Sequence, residues 1–238
     1  MNPSEIFNTT EYIFSDFDGT ISKFDVIHKF IRNFSKGDYM VAEKLWCEGK
    51  MSTQDCLKIQ FDLITGLTKE VFDKFVETVE IDPYFYEFYK LAKSLNKKII
   101  ILSDGFDLFI KPTLKKYQMD DIQVFANVLK LKEENGFIKF EMEYPNQSKN
   151  CFIGSGCCKC EVAQQFTRHY TYIGDGLSDR CIAKKSALLF AKKSLETFCA
   201  NENIKYFPYT TFQDIINAVC KENLNAADDV KQFNRGCN

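Results

Sequence analysis

The chain has 238 residues, 45% of them hydrophobic and 27% charged, which is enough apolar material for one sizeable core or a core with a smaller partner. Its 31 lysines and arginines nearly balance 33 acids, for a net charge of −2, so no global attraction to nucleic acid or to an anionic membrane is expected. No apolar run approaches the roughly 18 residues of a membrane span, and the opening MNPSEIFNTTEY lacks the basic-then-apolar pattern of a secretory signal. The ten cysteines therefore read as mostly reduced thiols of a cytoplasmic protein.

In chain order, Tyr12-Ile13-Phe14 is a short apolar run leading into Asp16. Such runs, bounded by polar residues or glycine and without alternation, suit parallel strands covered on both faces. Residues 23–81 then read as a helical insertion, too long for a simple strand-to-helix connection. Within it, Ser52 with Asp55 resembles a capping pair before Leu57, Ile59 and Leu63, and Thr68 caps a helix carrying Val71, Phe72 and Phe75. Asp82-Pro83 reads as the start of a further helix, whose Phe85, Phe88, Tyr89, Leu91 and Ala92 pack on the sheet.

The second strand, Ile99 to Leu102, leads into Ser103. Residues 124–145 form a hairpin around Asn135-Gly136. A third strand, Tyr170 to Ile173, leads into Gly174-Asp175, and Ala187 to Phe190 forms a fourth. The tail from Asn223 is polar and reads as poorly anchored.

Three strands thus end in chemically capable residues, where open α/β sheets gather their ligands. In Ser15-Asp16-Phe17-Asp18-Gly19-Thr20, one carboxylate can attack phosphorus and the other can protonate a leaving oxygen and then activate water. Ser103-Asp104-Gly105 offers a hydroxyl and backbone N–H groups for phosphate oxygens, or a plain helix cap. Gly174-Asp175-Gly176-Leu177-Ser178-Asp179 adds carboxylates that, with Asp16, suit magnesium. Asp179 shares a helical face with Asp175 if the turn continues as helix. Lys159 can neutralise the nucleophile and draw on the transferred phosphate. Each segment alone also fits an ordinary turn, cap or surface residue.

Their order changes the odds. DFDGT at 16–20, Ser103, Lys159 and GDGLSD at 174–179 resemble the four motifs of haloacid-dehalogenase-like phosphatases, over essentially residues 10–195. The resemblance implies an α/β fold, with a Rossmann-like parallel-sheet core (residues 1–22 and 82–238) and an inserted helical cap (23–81) like that of the phosphoserine-phosphatase branch. It implies Asp16 as nucleophile, Asp18 as general acid and base, and Ser103 and Lys159 as phosphate and charge contacts. Mg2+ would be held by Asp16, Asp175 and the Asp18 carbonyl, with Asp179 in support.

Substrate contacts are expected from Thr20, Asp104 and Gly105, and from Phe24, Asp25 and His28 just after the first motif. Ser-Asp-Gly in place of the more frequent Ser-Gly-Gly leaves the role of Asp104 open. The cysteines flanking Lys159 resemble those of the methionine-salvage group acting on 2-hydroxy-3-keto-5-methylthiopentenyl-1-phosphate. The expected partner is a small phosphorylated metabolite, hydrolysed at magnesium, with no nucleic acid or membrane involved. Phosphoserine- or phosphoethanolamine-type substrates, a phosphotransferase or mutase, and a catalytically silent relative are the alternatives. Cys151, Cys157, Cys158 and Cys160 lack paired C-x2-C spacing and are expected to hold no zinc.

Overall fold

The computed structural model describes residues 2–151 and 153–220; the tail from Asn223 lies outside the described residues. The strands are β1 Tyr12–Ser15, β2 Lys98–Phe106, β3 Gln123–Glu134, β4 Phe137–Glu143, β5 Tyr170–Gly174, β6 Leu188–Ala191 and β7 Phe207–Pro208. The helices are α1 Pro3–Thr9, α2 Val26–Phe34, α3 Met40–Cys47, α4 Thr53–Asp62, α5 Lys69–Glu77, α6 Phe85–Ser94, α7 Asp107–Lys116, α8 Lys159–Gln164, α9 Arg180–Ala183 and α10 Lys193–Asn201, and residues 212–220 are also helical. The seven strands form one sheet in the order β4-β3-β2-β1-β5-β6-β7, parallel throughout except for the β3–β4 pair.

The central strands lack polar alternation because both faces are covered. Ile13, Ile101, Ile173 and Phe190 point into one buried cluster, while Phe14, Leu102, Tyr172 and Leu189 point into another. The hairpin turn has both Asn135 and Gly136 at positive φ, as two-residue turns between twisted strands require. The first half of β3 pairs with β2 and its second half with β4, so the hairpin extends the main sheet.

The insertion is tied at its neck: Ser22 bridges Ile81, and Lys23 N–H donates to the Glu80 carbonyl. It holds four helices, α2 to α5, with Ser52 and Thr68 each capping as their sequence suggests. Phe30 on α2 is the hub of their packing, with ring centroids 5.5 Å from Phe72, 5.0 Å from Phe75, 5.1 Å from Phe109 and 5.8 Å from Phe140. Phe109 and Phe140 belong to α7 and β4, so the helical insertion shares one hydrophobic core with the sheet side. Ile59 and Val71 are 43% and 40% exposed. The buried stripes run instead through Cys56, Leu57, Gln60 and Phe61 and through Phe72, Phe75 and Val76.

The helix expected from Asp82-Pro83 begins at Phe85. Asp82 instead makes a local turn, accepting the Tyr84 N–H at 2.9 Å with one oxygen and the Phe212 N–H at 3.3 Å with the other. Among the described residues no helix is long and apolar enough to cross a membrane.

Candidate active site

Parallel register brings the chemistry together. Ser15 on β1 lies beside Ile101 of β2 and Ile173 of β5, so the residues after β1 and β5 and the end of β2, where its register with β3 shifts between Leu102 and Phe106, emerge at one edge of the sheet. Asp16, Asp18, Ser103, Asp104, Gly105 and Asp175 all line a single cavity of about 320 Å³ there.

Asp16 is held by its backbone, its N–H donating to the Ile173 carbonyl at 3.0 Å, and by its side chain, with Lys159 Nζ 2.8 Å from Oδ1. Lys159 also reaches Asp179 Oδ1 at 2.5 Å and donates to Ser178 Oγ at 3.1 Å. Gly19 has φ +71°, and a Cβ there would lie 2.4 Å from Asp175 Oδ2, so only glycine lets the turn close onto that carboxylate. Gly105 is constrained in the same way, since a Cβ there would lie 2.2 Å from Asp18 Oδ2.

The Asp18 carboxylate has partners of its own. Oδ1 accepts the Val26 N–H at the start of α2 at 3.0 Å, and Oδ2 lies 3.3 Å from Ser103 Oγ. The Ser103 hydroxyl oxygen also accepts the Gly105 N–H at 3.0 Å, whereas α7 has no side-chain cap. Ser103 is thus bound into the site and leaves the helix start alone. Asp104, whose part was open in sequence, is a brace: Oδ1 accepts the Cys157 N–H at 2.9 Å, fixing the approach to Lys159. Buried Asn127 supports it, donating to the Asp104 carbonyl at 2.6 Å.

Asp179 does not share a helical face with Asp175, because a 3₁₀ turn over Leu177–Asp179 intervenes. Its Oδ2 accepts the Asp175 and Gly176 N–H groups, both at 3.0 Å, and its Oδ1 receives Lys159 and the Tyr172 hydroxyl. Both oxygens are therefore engaged within the protein. The ligand oxygens of Asp16, Asp175 and Asp179 nevertheless lie within 4.8 Å of one another, and such hard oxygen donors suit a small divalent cation.

The charge balance favours one. Burial pushes Asp16 well above the usual carboxylate range, against the pull of Lys159. Burial also raises Asp175, with the Asp179 charge adding to it. Half-buried Asp18 is pushed up to about 8, first by desolvation and then by the Asp25 carboxylate. Desolvation works to lower Lys159, but Asp16 and Asp179 outweigh it and keep the ammonium charged. This concentration of carboxylates is the arrangement a cation relieves.

Two expected substrate contacts do not line the cavity. The buried Thr20 hydroxyl donates to Asp175 Oδ1 at 3.2 Å, so Thr20 positions a carboxylate. Phe24 is likewise absent from the cavity wall, with Lys29 Nζ 3.7 Å from its ring centroid. Asp25 and His28 do line the cavity; Asp25 caps α2 by accepting the His28 N–H at 2.8 Å.

Other wall residues have no signal in the sequence, because they come from α3 and α4 and converge only on folding. Glu43 sits 3.4 Å from His28 Nδ1 and accepts from Gln60 Nε2 at 2.9 Å. Trp46, whose indole N–H donates to Thr53 Oγ1 at 3.1 Å, lines the apolar part with Ile27, Ile31 and Leu57. Lys193, whose Nζ lies 2.8 Å from Asp175 Oδ2 and 3.0 Å from the Gly19 carbonyl, was legible in principle as part of a lysine pair just past the fourth strand.

The haloacid dehalogenase-like hydrolase family matches residues 13–184. The chain belongs to that family. This haloacid dehalogenase-like hydrolase is similar to 2-hydroxy-3-keto-5-methylthiopentenyl-1-phosphate phosphatase of Bacillus cereus, 29% identical over 208 residues, covering 85% of this chain and 93% of the relative. It is also similar to Pdp3-interacting factor 1 of Schizosaccharomyces pombe, 28% identical over 214 residues, covering 86% and 92%. Among solved structures, a substrate-bound phosphoserine phosphatase complex superposes with a TM-score of 0.67 at 20% identity, covering 89% of this chain and 99% of that one. At that identity the likeness is one of fold.

Proposed function

We propose that this hydrolase cleaves small phosphomonoesters through a phosphorylated Asp16. The observation that carries the reading is the pairing at the β1 edge. Asp16 faces the cavity with Oδ1 held by Lys159, and Asp18 stands beside it in a setting that favours its protonated form. An Asp16 oxygen attacks phosphorus, and Asp18 gives its proton to the departing alkoxide. The carboxylate so formed then takes a proton from water, whose oxygen attacks the phosphoaspartate, releasing phosphate and restoring Asp16. Lys159 and Ser103 hold the phosphoryl oxygens and their developing charge.

Asp16, Asp175 and the Asp18 carbonyl would hold Mg2+, which when bound supplies charge neutralisation for the phosphoryl group. Asp179, with both oxygens engaged, keeps Asp175 and Lys159 in place.

Cavity chemistry and kinship together support a substrate with a polar middle and an apolar tail. Glu43, His28 and Gln60 offer hydrogen-bonding groups, and Trp46, Ile27, Ile31 and Leu57 an apolar wall. The substrate in the name of the Bacillus cereus relative has that character, and it is our first choice of metabolite. The test is phosphate release from a panel of small phosphomonoesters with magnesium, by wild type and Asp16→Asn. Turnover by the variant within about tenfold of wild type, a barrier change of only about 1.4 kcal/mol, would remove Asp16 from the mechanism.

A further inference from the structure

The four thiols around Lys159 do not converge on one point. Cys157 Sγ lies 3.7 Å from the Phe125 carbonyl and Cys151 Sγ 3.4 Å from Ser155 Oγ. Cys151 and Cys158 also meet through their side chains, and the Cys160 and Cys181 sulfurs face each other at 2.8 Å. Cys160 is the second residue of α8, directly after Lys159, and Cys181 is the second residue of α9, two positions after Asp179. The thiol pair therefore crosses the same gap as the Lys159–Asp179 bridge.

We propose that Cys160 and Cys181 form an oxidisable dithiol that closes to an intramolecular disulfide and lowers turnover reversibly. Cys181 is half-buried and open to a small oxidant, whereas Cys160 is 5% exposed. Desolvation, with the Cys181 contact adding to it, pushes the Cys160 thiol far up, so it does not react first. With hydrogen peroxide the steps balance. The Cys181 sulfur takes one oxygen to become a sulfenic acid, releasing one water; the Cys160 sulfur then displaces that oxygen as a second water, forming the S–S bond. The sulfurs must close from 2.8 Å to about 2.05 Å, and the bond so formed ties α8 to α9.

Lys159 and Asp179 ride on those turns. Displacement of a charge-bearing group by about 1 Å can cost on the order of a hundredfold in rate, so the disulfide form is expected to turn over at least about fivefold more slowly. This second half rests on the catalytic role given to Lys159; the thiol chemistry does not.

The experiment treats the full chain with hydrogen peroxide, maps cysteine linkages by peptide mass after blocking free thiols, and follows phosphate release before and after dithiothreitol. The expected result is a Cys160–Cys181 linked peptide two hydrogens lighter, slower turnover, and recovery on reduction. Cys181→Ser should keep its turnover through the same treatment, and Cys160→Ser should show only a Cys181 sulfenic acid or its adduct. A wild-type map with Cys160 and Cys181 still unlinked overturns the proposal, and so does a linked enzyme of undiminished rate. Should no phosphomonoester be turned over even before oxidation, the catalytic reading fails, while the linkage map still decides the dithiol.

Discussion

Lys159 and Asp179 form a buried bridge: the ammonium lies 2.5 Å from Asp179 Oδ1 and only 2.8 Å from Asp16 Oδ1, with the lysine side chain 2% exposed. One cation thus bridges two carboxylates that would otherwise repel each other. Lys159→Met is expected to lower turnover at least about a hundredfold. It should also destabilise the fold by about 3–5 kcal/mol, since it leaves buried charge uncompensated. Adding Asp179→Asn should recover much of the lost melting temperature without recovering turnover. Parallel loss and recovery of both properties in the double variant would mean that Lys159 is structural only.

Asp18 invites a test by leaving group. If it protonates the departing oxygen, Asp18→Asn should cost far more with an alkyl phosphate than with p-nitrophenyl phosphate, whose leaving group needs no proton. The difference should reach about 10²–10⁴-fold. Because Asp18 is pushed up to about 8, wild-type turnover of the alkyl ester should decline as pH rises past that value. Equal losses on both esters would deny Asp18 the acid role.

The same shift governs stability. Folded Asp18 holds its proton up to about 8, while its ordinary value is 3.8. The folded state therefore binds the proton more tightly, and this contribution to stability is complete below 3.8 and lost as pH rises towards about 8. Raised Asp16 and Asp175 act in the same direction. Metal-free protein should lose melting temperature over that range, less steeply in Asp18→Asn. Magnesium, competing with protons for these carboxylates, should raise the melting temperature more near pH 8 than near pH 5. A magnesium effect that is absent, or equal at both, would count against cation binding here.

These residues were unevenly legible. Asp16, Ser103 and Asp175 follow buried apolar runs, and parallel pairing of β1, β2 and β5 alone suffices to gather them. The hairpin announced itself through Asn135-Gly136, whose φ angles few other pairs tolerate. The place of Thr20 in the motif does not say which way its hydroxyl points; it points to Asp175. Glu43, Gln60 and Trp46 were invisible, since their meeting with His28 depends on how α2, α3 and α4 pack around Phe30.

The cap sets the last expectation. Phe30 welds α2 to α4, α5, α7 and β4, so the insertion is fixed over the cavity by a shared core. A cavity of about 320 Å³ beneath it admits a small metabolite, and a phosphorylated protein would have to thread a side chain past α3 and α4. Small phosphomonoesters should therefore exceed a phosphoprotein in kcat/KM by several orders of magnitude. Trp46, pinned by Thr53, is the wall residue best placed to hold an apolar tail. Trp46→Ala should raise KM about tenfold for a phosphoester bearing a thioether tail, from lost apolar burial worth about 1.4 kcal/mol. KM for glycerol phosphate, which has no such tail, should stay nearly unchanged, as should kcat for both. Equal effects on the two esters would remove Trp46 from substrate selection, and a phosphoprotein preferred over both would overturn the role of the cap while leaving the chemistry at Asp16 standing.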